Sequence, residues 1–354
     1  MERAMFYLGI DVAKAKLDCV LLNPETQKRK SKSKSKSKSK SKSKSKSKSK
    51  SKSKRVDNNA AGLLALLNTL QDWGIEPGEV HVVMEPTASY HELAALTLAD
   101  ARCTVSLINP AHLRRYAQSL GARSKTDAAD SALLARYGAA EKPDAWMPPS
   151  ASARALKALL TRRDAVAEDL QRERNRTEKV AVTEVPEAVR QSLTEVIDFL
   201  QRQLETLQRE IEQHIDNDPD LRDKRELLLS IPGVGDRVAQ HMTELLASHH
   251  FETAEQLAAY LGLVPVEWQS GSSIKGRPRM SKAGPAHLRK LLYMPAIVAV
   301  QHNPHIRALY ERLLERGKPK MAAIGAAMRK LAHLCFGVVR TGKAYNPQLN
   351  AKNV

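Results

Sequence analysis

Apolar positions follow two different periods along this chain. Residues 6–12 and 17–22 are apolar runs of strand length, and Asn23-Pro24 closes the second. After a polar stretch, Leu63, Leu64, Leu66, Leu67 and Leu70 recur at helical spacing. Residues 80–84 then read as a buried strand, 91–99 as a helix, and 104–108 as a strand ended by Asn109-Pro110. A helical stretch follows over 127–139, and 146–149 reads as a linker. Strands interleaved with helices predict a mixed α/β domain over residues 1–149.

From Ser150 the period becomes purely helical. Leu193, Ile197, Leu200, Leu204, Leu207 and Ile211 recur at steps of four and three, the seam of a coiled coil. A partner helix over 151–180 carries a weaker stripe of Leu156, Leu160, Ala167 and Leu170, and Pro186 opens the second arm. Residues 150–218 therefore predict an antiparallel helical hairpin about 45 Å long at 1.5 Å per residue, of the kind that spaces domains or dimerises. Residues 219–354 read as a mainly helical domain of short helices and glycine turns. Within it, 227–231, Pro232-Gly233-Val234-Gly235 and 238–246 have the outline of a helix-hairpin-helix. Such a turn aims backbone N–H groups at a phosphate, with Gly233 and Gly235 allowing close approach; a plain tight turn is the rival reading.

Charge sharpens this division. The 354 residues carry 57 Lys+Arg against 39 Asp+Glu, a net +18. Sixteen of the positive charges lie in residues 28–55, where twelve Ser-Lys repeats fill 31–54 without an acid. Alternating Ser and Lys cannot bury apolar surface, so the repeat is expected to be a disordered loop, a dispensable insertion or a loose tether for polyanions. Another fifteen Lys/Arg against two Glu lie between Ser270 and Lys343, a local +13, and the remainder is acidic. Cys19, Cys103 and Cys335 lack ligand spacing, which fits a reducing, cytoplasmic compartment. No apolar run approaches the roughly 20 residues of a spanning helix, and the N-terminus passes directly into a strand pattern, so neither membrane nor signal peptide is expected.

Four carboxylates stand where chemistry is expected. Asp11 lies inside the first apolar run, where a charge is costly unless paired or bound to metal, and Glu85 ends the strand at 80–84. Asp127 and Asp130 are i and i+3 at a helix start and face one side. Together they suit magnesium-assisted phosphoryl transfer, although taken singly Asp127 reads more readily as a helix-start charge and Glu85 as a strand-end residue. In the segment 269–284, serines alternate with Lys275, Arg277, Arg279 and Lys282, a composition suited to a serine attacking a phosphodiester and equally to a basic binding loop. Composition does not choose among Ser270, Ser272, Ser273 and Ser281. Arg289 and Arg329, with neighbouring Lys290 and Lys330, would extend a phosphate-binding surface.

Six ordered motifs carry a resemblance: Tyr7-Leu-Gly-Ile-Asp11, Met84-Glu85-Pro-Thr-Ala-Ser-Tyr90, Ile108-Asn-Pro110, Lys125-Thr-Asp127-Ala-Ala-Asp130, Ser230-Ile-Pro-Gly-Val-Gly235, and Ser270-Gly-Ser-Ser273 through Arg279-Met-Ser-Lys-Ala-Gly284. In this order they resemble the DEDD transposases of bacterial insertion sequences, the bridge-RNA-guided recombinases. The resemblance implies a RuvC-like domain of ribonuclease H fold holding Mg2+ on Asp11, Glu85, Asp127 and Asp130. It also implies a coiled-coil linker and a C-terminal transposase domain whose nucleophile is Ser270, joined to a DNA 5′ end. Donor and target DNA, a structured noncoding guide RNA and a homotetramer are the implied partners. Two alternatives stand beside it: a metal-dependent RuvC-like junction endonuclease, and a non-enzymatic architectural nucleic-acid-binding protein.

Overall fold

Five strands meet in one sheet at the N-terminal end of the computed structural model, which describes residues 5–23, 51–121, 127–182, 184–267, 269–270, 274–275 and 278–348. They are β1 (Phe6–Val12), β2 (Lys16–Leu22), β3 (Lys52–Asp57), β4 (Val80–Met84) and β5 (Thr104–Leu107), in spatial order β3-β2-β1-β4-β5. β2 is antiparallel to β1 and β3, whereas β4 runs parallel to β1 and to β5. Four helices accompany them: α1 (Ala60–Asp72), α2 (Glu92–Asp100), α3 (Pro110–Ser119) and α4 (Asp127–Glu141).

The pleat sorts side chains between two faces. Leu8, Ile10 and Val12 of β1 and Leu17, Cys19 and Leu21 of β2 share a core with Leu63, Leu66 and Leu70 of α1 and Leu98 of α2. The three α1 leucines are fully buried, and each such side chain contributes about 1.5–3 kcal/mol. On the other face, Val83 of β4 packs with Leu113 of α3 and Leu134 of α4. The result is a mixed α/β unit around a central mixed sheet, consistent with a ribonuclease H-like fold.

One expectation needs correction here and another is extended. Lys52, Ser53 and Lys54, the end of the repeat, are not loop: they begin β3, whose backbone pairs residue by residue with β2 from Leu21↔Lys52 to Lys16↔Asp57. Backbone hydrogen bonding at an outer strand needs no apolar pattern, and Val56 is the one buried β3 side chain. The repeat up to residue 50 lies outside the described residues. In addition, Asn109-Pro110 does more than end a strand. The Asn109 side chain accepts from the Ala111 N–H at 2.9 Å and Pro110 takes the first helical position, so the pair starts α3.

The chain folds as two compact units, Met1–Pro148 and Pro149–Val354. The second unit begins with α5 (Ala151–Val180) and α6 (Glu187–Asn217). Ser152 meets His214 while Arg163 meets Gln208, an ordering that only antiparallel helices give. The seam is unevenly covered. Ile211 and Ile215 are buried, Leu193, Ile197, Leu200, Leu204 and Leu207 are half-buried, and Val196 and Phe199 are exposed.

Seven helices follow: α7 (Pro219–Leu229), α8 (Asp236–Ser248), α9 (Ala254–Tyr260), α10 (Ala286–Leu291), α11 (Tyr293–His302), α12 (Pro304–Glu315) and α13 (Lys320–Thr341). Length and mean hydropathy alone make α13 resemble a membrane span, although Arg329 and Lys330 keep it from being a continuous apolar run. Its apolar content has another cause: Ile324, Ala327, Leu331, Leu334, Cys335 and Val338 lie in the core of the second unit.

Candidate active site

β1 and β4 run side by side with Ile10 opposite Met84, so the next residues, Asp11 and Glu85, stand at the carboxyl ends of neighbouring parallel strands. Open α/β sheets bind ligands at this edge. Side-chain alternation decides where the two acids face. Gly9, two residues before Asp11, looks onto α4 so closely that a Cβ there would collide with the Ser131 carbonyl oxygen. Val83, two residues before Glu85, packs against Leu134 of the same helix. Asp11 and Glu85 therefore face the α4 side, where Asp130 immediately precedes Ser131. All three are half-buried. Asp127 begins α4; its side chain lies outside the described residues.

Asp18, which sequence reasoning passed over, joins this row. It pairs directly with Asp11 across the β1–β2 ladder and therefore shares its face. Arg55 of β3, opposite it in turn, donates Nε to Oδ1 at 2.7 Å and Nη2 to Oδ2 at 2.9 Å. The signal was present: a charge within the apolar run of β2 is as unusual as Asp11 within β1. The donor chemistry of the acidic set, hard carboxylate oxygen throughout, fits magnesium. Among the described residues no three acidic, imidazole or thiol side chains form a ready-made metal cluster.

In the second unit the chain after α9 forms β6 (Pro265–Val266), β7 (Gln269–Ser270), β8 (Ile274–Lys275) and β9 (Arg279–Met280). β6 pairs with β9 and β7 with β8, both antiparallel, with Ser270 opposite Ile274 and Gln269 opposite Lys275. Ser270 thus ends the inner strand next to residues 271–273. Those residues, Arg277, and the side chains of Ser270 and Lys275 lie outside the described residues. Arg279 and Lys282 are exposed. The base of this hairpin is tight: a Cβ on Gly262 would meet the Ala283 carbonyl, and one on Gly284 would meet that of Tyr260. Ser281 N–H donates to Val264 O at 2.8 Å, and Arg289 Nη1 donates to Leu261 O at 3.1 Å and Ala283 O at 3.4 Å. Arg289 therefore laces the base of the hairpin.

The turn at 232–235 joins α7 to α8. Gly233 has φ +101°, and a Cβ would lie 2.7 Å from that of Ala299 on α11; Gly235 is exposed at the start of α8. Asp236 follows it and pairs with Arg225 at 2.8 Å. The segment after α13 closes on this turn: Tyr345 N–H donates to Ser230 Oγ at 2.8 Å and its hydroxyl donates to Asn303 Oδ1 at 3.0 Å. Arg329 lies on α13, half-buried, its Nε 3.4 Å from His333 Nε2. Burial first, then the Arg329 charge, keeps that imidazole below its ordinary range.

Sequence reasoning also missed a buried polar junction between α5 and α8. Arg163 Nε donates to Asp164 at 3.0 Å and its Nη1 to Gln240 Oε1 at 2.8 Å, while His241 Nε2 lies 3.0 Å from Asp164 Oδ2. Burial alone would raise the Asp164 carboxyl, but His241, Arg163 and Arg237 together hold it well below the usual carboxylate range. A cavity of about 680 Å³ adjoins it, lined by Arg163, Leu204, Gln208, Arg237 and Gln240 among others. No periodic pattern announces such a junction, because its members are four single polar residues on two helices.

Comparison with known proteins bears on the chain as a whole. Residues 225–311 match the model of the transposase IS116/IS110/IS902 family, and residues 35–186 match the DEDD transposase model of IS110. The latter match takes in Glu85, Asp127 and Asp130 but begins after Asp11. The pilin gene-inverting protein of Moraxella lacunata is 30% identical over 346 residues, covering 97% of this chain and 98% of that one; its Moraxella bovis counterpart is equally similar. A 43.6 kDa protein of insertion element IS110 from Streptomyces coelicolor is 31% identical over 126 residues, 35% of this chain and 31% of its own. A DEDD transposase domain implies DNA as substrate and dependence on a divalent metal ion. The chain belongs to the IS116/IS110/IS902 family of transposases.

Proposed function

We propose that this transposase excises and inserts an insertion sequence under the guidance of a structured noncoding RNA, with Ser270 as nucleophile and Asp11, Glu85, Asp127 and Asp130 as a magnesium-binding acidic site. The observation that carries the reading is that Asp11 and Glu85 follow the Ile10–Met84 pair of neighbouring parallel strands, on a sheet face whose Gly9 and Val83 pack against the helix that begins with Asp127 and Asp130. Support for the serine comes from its position on a narrow hairpin bearing Lys275, Arg279 and Lys282, with Arg277 in the adjoining sequence. Magnesium held by the carboxylates would neutralise charge developing on the transferred phosphoryl group.

Ser270 Oγ attacks phosphorus; the Oγ–P bond forms as the bond to the 3′ oxygen breaks. The serine loses its proton, and the departing 3′ oxygen gains one. The DNA 5′ end remains as a phosphoserine until another 3′-hydroxyl attacks it and releases the serine. The basic hairpin steadies phosphate, and RNA base pairing supplies sequence selection. In this reading residues 1–149 form the RuvC-like domain, 150–218 the coiled-coil spacer and 219–354 the serine domain with its Gly233–Gly235 turn on DNA. Four copies assemble so that one subunit's serine meets another's acids. The Moraxella relatives are named for inverting a pilin gene.

The test is denaturing electrophoresis after incubating the full chain with element-end DNA and the noncoding RNA encoded beside its gene. A covalent protein–DNA band that Ser270→Ala removes and Asp11→Asn sharply reduces is expected. Hydrolysed ends without such a band would replace this reading with the junction endonuclease, and no cleavage at all with the architectural binder.

A further inference from the structure

One amide between β3 and α1 joins two loops of the acidic site. Asn58 Nδ2 donates to Ala13 O at 3.0 Å and to Tyr90 O at 2.9 Å. Carbonyls can only accept, so it is the amide nitrogen that faces them. Ala13 lies two residues beyond Asp11, and Tyr90 five beyond Glu85. The two loops are themselves shaped by local bonds. Ala13 N–H donates to Lys16 O at 3.0 Å, Tyr90 N–H to Thr87 O at 3.0 Å, and Asn58's own N–H reaches Ala15 O at 2.9 Å.

The position of this tie matters because of where the sheet stops. The β1–β4 pairing ends at Ile10↔Met84, one residue before both acids. Up to that point ladder hydrogen bonds tie the two strands to each other; beyond it Asp11 and Val12 stay paired only with β2, and Glu85 lies past the end of β4. The Asn58 amide closes the far side, so Asp11 and Glu85 are bracketed between the last ladder pair and the two bonds from Asn58. Resting on the reading of Asp11 and Glu85 as metal-binding carboxylates, we infer that Asn58 is a positioning residue that fixes their separation and thereby the affinity of the acidic site for a divalent cation.

The neighbouring residue supplies a control. Asn59 Oδ1 accepts from Gly62 N–H at 2.8 Å and caps α1. Among the described residues, no hydrogen bond links its side chain to the Ala13 or Tyr90 loop. Losing that cap costs stability without touching either loop.

The test titrates Mn2+ into the full chain, reading bound ion by electron paramagnetic resonance, with thermal melting measured in parallel. Asn58→Ala is expected to weaken Mn2+ binding about tenfold, as loss of a group that orients metal ligands commonly does. Asn59→Ala is expected to lower the melting temperature while leaving Mn2+ binding unchanged. Asn58→Asp serves as the second variant: it adds a negative charge near the site, so weaker cation binding there would report the lost tie and not electrostatics. Mn2+ binding by both Asn58 variants equal to that of Asn59→Ala would overturn the inference. Unweakened binding by Asp11→Asn would instead overturn the acidic-site reading and the inference with it.

Discussion

Asp11 stands directly across the β1–β2 ladder from Asp18, whose two carboxylate oxygens are held by Arg55 from the next strand. Like charges directly opposed in a sheet repel, and Arg55 relieves that repulsion by engaging one of the two. Three strands thus carry one row of charge, Arg55, Asp18 and Asp11, next to the strand that Glu85 follows.

Arg55→Met keeps the aliphatic stem and removes the charge. Because the Arg55 side chain is 56% exposed, the stability lost should be small, about 0.5 kcal/mol. Mn2+ binding should tighten, since Asp18 is released beside Asp11. Urea unfolding and Mn2+ titration of the variant measure both; weaker binding would show that Asp18 has no access to the site.

Gly9→Ala should be far more damaging than its size suggests. The added methyl meets the Ser131 carbonyl, a backbone atom that cannot rotate away, so α4 must shift. A loss of about 1–3 kcal/mol is expected, as for other overpacked contacts. Mn2+ binding should fall with it, because the same helix carries Asp127 and Asp130. Melting temperature and Mn2+ affinity near those of the parent would refute the close approach.

Acidification should destabilise the chain through its buried histidines. His81, His249, His287 and His333 are all held below the ordinary 6.5, burial being the first cause in each. Their folded forms resist protonation, whereas the unfolded chain takes up protons as pH falls through 6.5. The stability they contribute is therefore complete above about 6.5 and is lost as pH drops toward their lower folded values. Asp164, also depressed, acts in a separate window: its contribution is lost only as pH falls below 3.8. Thermal melting between pH 7.5 and 5.5 should show a falling midpoint, and a rising one would contradict the burial argument.

Trimming the repeat should have a sharp boundary. Removal of residues 31–50 should leave recombination intact, because β3 pairs with β2 only from Lys52 onward. Removal through Asp57 should abolish folding of the sheet's outer strand and bare the buried residues beneath Val56. Recombination assays and circular dichroism on the two deletions check this; activity surviving the longer one would show β3 to be dispensable.

Much of this architecture was legible in the chain. β1, β2, β4 and β5 and the helices from α4 onward to α6 announce themselves because their apolar side chains must reach a core, and burial leaves a period behind. β3 leaves almost none, with Val56 its single buried side chain. The four acids stood out as charges at apolar strands or a helix start, whereas Asp18 and Asn58 acquire their meaning only from cross-strand register and from carbonyls 45 and 32 positions away. The short strands around Ser270 were hidden for a similar reason: two-residue ladders need no periodicity.

The two margins of the sheet have a bearing on how copies of this chain can associate. β3 presents Lys52, Lys54 and Arg55 along one margin. At the other, Trp146 N–H donates to Val105 O at 2.6 Å, and Ser106 Oγ, 2.7 Å from His81 Nε2, donates to Asp144 O at 2.6 Å. One margin is thus lined with cations, and at the other the chain's own residues 144–146 bond to β5. Among the described residues, both margins carry features that disfavour continuation of the sheet into another copy.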